Sequence, residues 1–177
     1  GTVHEGAHII KEQNVLVGKG ATIAHGAVID ATEGPVVVDE DAEIMFNSVI
    51  KGPCSIGRKS KIKIGARIYE GTSIGKLCKV GGEVNNCIFH SYSNKAHEGF
   101  AGNSIIGQWS NFGADTNTSN LKNNYSKVRL PNWDTDEISE DGVQFFGTVF
   151  GDFSKTAINT SLNTGTICGV SSNIFSN

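Results

Sequence analysis

Residues 38–80 read VDEDAEIMFNSVIKGPCSIGRKSKIKIGARIYEGTSIGKLCKV. Every sixth residue from Val38 gives Val38, Ile44, Ile50, Ile56, Ile62, Ile68, Ile74 and Val80. Ile and Val together make up 32 of the 177 residues, so eight in succession would arise by chance roughly once in a million. The position four residues further on stays small: Ala42, Ser48, Cys54, Ser60, Ala66, Thr72, Cys78. Neither the 3.6-residue helix nor the two-residue strand repeats at six. A coil of three short strands does, each strand giving one large inward residue and one small corner residue. Successive coils then stack at the spacing of paired strands, about 4.8 Å. Residues three hexads apart should form internal columns: Val38–Ile56–Ile74, Ile44–Ile62–Val80 and Ala42–Ser60–Cys78.

Outward from this stretch the register continues at Val17, Ile23 and Ile29. It returns at Phe100, Ile106 and Phe112, and again at Phe150, Thr156, Leu162, Cys168 and Ile174. Joints are expected near 31–37, 86–93 and 118–147. The chain is thus read as an all-β parallel solenoid, with a loop extruded over Ser119–Gly142 that holds Pro131, Trp133 and the acidic run Asp134–Asp141. Composition agrees: Leu occurs only five times, whereas a helical protein leans on Leu and a pleated surface on β-branched residues.

The net charge of −3 does not make nucleic acid a default partner. No apolar run approaches the roughly 18 residues of a membrane span, and no signal peptide opens the sequence. Cys54, Cys78, Cys87 and Cys168 have no CxxC spacing and are read as free thiols, which fits a cytoplasmic location. Metal is not expected: no His pair has a five-residue spacing, and no Cys/His cluster has zinc-site spacing. Residues 51–79 carry eight of the 15 Lys and Arg. An anion site for a phosphorylated ligand and a solvated face with ladder pairing (Glu40–Arg58, Glu43–Lys61) both account for that charge.

The stretch from Tyr92 to Tyr125 is more specific: YSNKAHEGFAGNSIIGQWSNFGADTNTSNLKNNY. Lys95, His97, Phe100, Gly102, Ile106, Gly107, Asn111, Phe112, Gly113, Ala114, Thr116 and Asn120 follow a known pattern. It resembles the C-terminal acetyltransferase domain of the bifunctional enzymes that acetylate glucosamine 1-phosphate and then uridylylate the product. The resemblance implies the left-handed form of the parallel β-helix over residues 1–177. It also implies a homotrimer, acetyl-CoA as co-substrate, an amino-sugar phosphate as acceptor, and a preceding nucleotidylyltransferase domain in the parent protein.

By the same resemblance His97 is the general base that takes the amine proton as nitrogen attacks the thioester; an imidazole titrates in the range this requires. Glu83 is a candidate to orient it. Asn111 and Asn120 match sugar- or acetyl-binding positions, and each is also an ordinary turn residue. The backbone at Ala114 matches a place beside the thioester, where an N–H stabilises an oxyanion. Lys127 and Arg129, and more weakly Arg67, are candidates for the sugar phosphate. The sequence departs from the pattern at Phe100 and Leu121, where the family has Tyr, and at Val84–Cys87, where it has a phosphate-binding Lys. A non-catalytic domain that trimerises or regulates a sugar-1-phosphate nucleotidylyltransferase therefore stands as the alternative.

Overall fold

In the computed structural model, which describes residues 1–132, 135, 137, 138 and 142–175, the chain is a left-handed parallel β-helix with three faces. Trp133, Asp134, Asp136 and Glu140–Asp141 of the expected loop lie outside the described residues. Face A stacks Thr2–Val3, Thr22–Ile23, Glu43–Ile44, Lys61–Ile62, Lys79–Val80 and Asn94–Lys95. It continues through single bridges at Asn111 to Lys155–Thr156 and Asn173–Ile174. Face B runs from His8–Ile10 to Phe100–Gly102 in six strands, and face C from Val15–Val17 to Thr166–Cys168 in eight. Every strand pair is parallel, and each strand is only two or three residues long.

The expected columns are present. Val38 pairs with Ile56 and Ile56 with Ile74; Ile44 pairs with Ile62 and Ile62 with Val80. All six are buried, and each contributes about 1.5–3 kcal/mol through lost contact with water. Beside them the small corner residues satisfy the backbone: the Ser60 hydroxyl donates to the Gly75 carbonyl and accepts from the Cys78 N–H. A third corner residue in the left-handed region turns each regular corner, as at Asn47 (φ 57°) and Gly65 (φ 69°). The charge ladders pair as well, with Lys61 at 2.8 Å from Glu43 and Arg58 at 3.6 Å from Glu40.

Phe100 corrects the reading. It is not an inward residue; Ala101 is, paired with Val84 and buried, while Phe100 stands over the outer surface in line with Glu83. The reason is a change of period. Lys79 lies 18 residues after Lys61, but Glu83 lies only 16 after Arg67, and Asn94 only 15 after Lys79. Two residues are missing from the corner at Gly81–Gly82 and one each from the corners at 85–87 and 102–104, so Ala101 stands five residues before Ile106, where a hexad count back from Ile106 points to Phe100.

The long loop leaves after Asn117–Thr118 and returns at Thr148–Phe150. Its base is tied to the solenoid: Phe146 N–H donates to the Asn120 carbonyl, and Gly147 N–H donates to Asn103. Further out, Val128 pairs antiparallel with Val143 and is buried against Gly165.

Candidate functional site

The corner between faces A and B carries the sequence-predicted chemistry. In the first coils it is an exposed ridge in which His25 lies over His4 (ring centroids 5.3 Å apart) and over Phe46 (6.3 Å). Ile64 follows, also exposed. The two-residue corner at Gly81–Gly82 then cuts a notch in the ridge. The next corner, residues 96–99, has four residues again and sets an exposed His97 on the far side of the notch. Ala114 sits on the corner of the following coil.

This corner is built differently from its neighbours. At three other corners of this edge the third residue donates its N–H to the second of an adjacent coil: Asn47 to His25, Gly65 to Phe46, Asn159 to Ala114; Gly26 donates to Gly6, third to third. Here Asp115 donates to Glu98 instead (3.0 Å), so the His97 carbonyl drops out of the ladder. Lys95 takes it up. Lys95 occupies the inward column Ile44–Ile62–Val80 and is 2% exposed. Its Nζ donates to the His97 carbonyl and to the Gly81 carbonyl, both at 3.0 Å. Burial pushes its ammonium down to about 8, with Glu98 the main group opposing that fall.

On face B the Arg67 guanidinium lies between two carboxylates, 3.7 Å from Glu83 and 3.1 Å from Glu98. Glu83 therefore faces Arg67. Its outer neighbour on the other side is Phe100, whose ring covers Gly102. Sheet pairing pauses here. The Phe100 N–H donates to the Asn117 side chain at 2.8 Å, and the Gly102 N–H to the Thr118 hydroxyl at 3.1 Å. At Ala114 the carbonyl accepts from Asn159, while its N–H has no acceptor among the described residues.

Of the predicted residues, the fold brings His97 and Ala114 to one corner, with Arg67 and Glu83 on the adjoining face. Asn111 is on face A between Asn94 and Lys155. Asn120 is at the opposite edge of face B, where its amide donates to the Asn103 side chain at 2.7 Å. Lys127 and Arg129 are exposed on the loop on either side of buried Val128. A cavity of about 540 Å³ opens at that edge, bounded by Ser119, Lys122, Asn124, Asn163 and Thr164. Sequence reasoning missed the inward turn of Lys95 and the role of Glu98; both follow once the missing residues at the joint are counted. Cys54 and Cys87 are inert: burial pushes the Cys54 thiol up to about 12 and the Cys87 thiol up to about 11.

No protein-family model matches the chain. The bifunctional protein GlmU of Synechococcus elongatus is 28% identical over 185 residues, covering 86% of this chain and 37% of that protein. The GlmU of Methanococcus vannielii is 34% identical over 122 residues, covering 69% of this chain and 28% of that protein. The chain thus spans about a third of the length of the curated relatives it matches. Among solved structures, the UDP-N-acetylglucosamine acyltransferase from Campylobacter jejuni superposes with a TM-score of 0.50 at 16% identity, over 93% of this chain and 68% of that one. The period, the corner motif around His97 and these relatives together make the chain a GlmU-like hexapeptide-repeat domain.

Proposed function

We propose that this domain transfers an acetyl group from acetyl-CoA to the amine of an amino-sugar 1-phosphate. The observation that carries the proposal is the His97 corner: an exposed imidazole beside a notch, with the free Ala114 N–H one coil away. The amine nitrogen attacks the thioester carbonyl and its proton passes to His97. The oxyanion forms against the Ala114 N–H. When the carbonyl re-forms, the C–S bond breaks and the thiolate leaves, taking up the proton held by His97. Likeness to GlmU supports glucosamine 1-phosphate as the acceptor.

Arg67 is nearest to the His97 corner among the candidate phosphate ligands, but its two carboxylate partners oppose an anion there. Lys127 and Arg129 of the partner subunit in a homotrimer supply the phosphate contacts instead, which makes the site an inter-subunit one. Asn111 and Asn120 bind the sugar or the acetyl group. The parent protein carries a nucleotidylyltransferase domain and acts in the cytoplasm, where four free thiols stay reduced.

The test is thiol release from acetyl-CoA in the presence of glucosamine 1-phosphate. Release that requires the sugar phosphate supports the proposal. A folded trimer that neither releases thiol nor binds acetyl-CoA in calorimetry favours a second reading, a scaffold that trimerises or regulates the nucleotidylyltransferase. The neutralised Arg67 and the hydrogen-bond-silent Phe100 speak for that reading. Sedimentation as a monomer would remove the inter-subunit site.

A further inference from the structure

We propose that Lys95 is a positioning residue whose buried ammonium braces the His97 bend by bridging the carbonyls of two successive coils. The role assigned to the brace rests on the acetyltransferase reading of His97; the brace itself does not.

A regular corner closes itself with a tight turn: Ser48 N–H donates to Met45, Ala66 to Lys63, Thr116 to Gly113. With two residues missing, Gly81 has no residue three positions on that lies in its own corner, so its carbonyl is orphaned. The irregular corner at 96–99 orphans the His97 carbonyl in the same region. Buried carbonyls without donors are costly. Lys95 Nζ supplies a donor to both.

The cavity for that ammonium is made by leaving side chains out. A Cβ on Gly82 would stand 2.8 Å from Lys95 Nζ, 2.8 Å from the Gly99 carbonyl and 2.9 Å from the His97 carbonyl. Gly82 (φ 68°) and Gly99 (φ 120°) both take backbone conformations that side chains resist. Glycine is therefore required at 82 to leave room for the ammonium, and at 99 because a Cβ there would meet the Thr116 backbone.

Packing alone would favour a different residue. The inward positions paired below Lys95 are Ile44, Ile62 and Val80, and the next coil supplies Phe112, edge-on to Phe150 at 4.8 Å. An aliphatic side chain here would complete the column, and exchanging a buried charge for a matching apolar group is often neutral or stabilising. A lysine kept at that cost, two residues from the imidazole it supports, marks a functional requirement rather than a packing one.

Lys95→Met tests this, since Met matches the stem in length and removes the donor. Amide hydrogen exchange, which needs no activity, should accelerate about tenfold or more at Glu83 and Asp115, whose N–H groups donate to the Gly99 and Glu98 carbonyls of the braced bend, while the Ile44–Ile62 coils keep their protection. In turnover, kcat should fall roughly 10- to 100-fold with KM for acetyl-CoA little changed. Lys95→Gln, which retains an amide donor, should fall between Met and wild type, and it replaces Met as the test if Met does not fold. Unchanged exchange at Glu83 and Asp115 in a folded variant overturns the brace. Faster exchange with unchanged kcat overturns its service to His97. If wild type itself releases no thiol, the acetyltransferase reading fails separately and exchange alone decides the brace.

Discussion

The coils from Val38 to Val80 and the coil from Lys79 to Ser93 obey different rules. In the first, a strict 18-residue period lets the backbone satisfy itself, and the core is a column of Ile and Val that any similar β-branched side chain would fill. In the second, three residues are missing. Backbone groups are left over, and side chains take their place: Lys95 for two carbonyls, Asn117 and Thr118 for two N–H groups. The regular coils supply stability. The irregular one opens a notch and places an imidazole beside it, so chemistry sits where the repeat fails.

The contrast can be broken most sharply in the regular half. Ile62→Ala should cost about 2–5 kcal/mol of stability, read by denaturant unfolding. It should leave turnover per folded molecule unchanged, because Val80 separates that side chain from Lys95 and the His97 corner.

A pH experiment sharpens the other half. The Lys95 ammonium titrates near 8, below its ordinary 10.5. Between those values the unfolded chain holds the proton that the folded chain has released, so this group's contribution to stability rises with pH. The gain from pH 7 to pH 10.5 is on the order of 3 kcal/mol. The charged groups around Lys95 are Glu98, Arg67 and Asp115, with the Cys87 thiol, and they are common to both proteins compared. Lys95→Met should lack this dependence, so wild type should gain stability relative to the variant as the pH rises from 7 toward 10. A difference independent of pH would show that the lysine is not buried as a charge.

Smaller effects bound the comparison. Thiol labelling of the native protein at pH 8 should modify Cys168 first and leave Cys54 and Cys87 untouched until unfolding, since burial holds those two thiols protonated. Lys61→Ala removes an exposed pair with Glu43 and should change stability by no more than about 1 kcal/mol.

The same contrast sets what was legible in the sequence. Columns such as Ile44–Ile62–Val80 could be read because a fixed period needs only counting. From Val80 the count of 18 points to Glu98, whereas the structure puts Lys95 there, three residues early. A further residue is missing between Ala101 and Ile106, which is why the hexad count through Ile106 and Phe112 put Phe100 inside instead of Ala101. The motif around His97 identified the residue without its surroundings. It did not show that Glu83 faces Arg67, nor that Asn120 sits at the other edge of face B, because both depend on how many residues each corner holds.

The most direct test of the account is thiol release from acetyl-CoA with glucosamine 1-phosphate, comparing wild type with His97→Ala at equal folded concentration. The account predicts release by wild type and a loss of roughly 10²- to 10⁴-fold in the variant. Equal release from both would make His97 a structural residue and contradict the site.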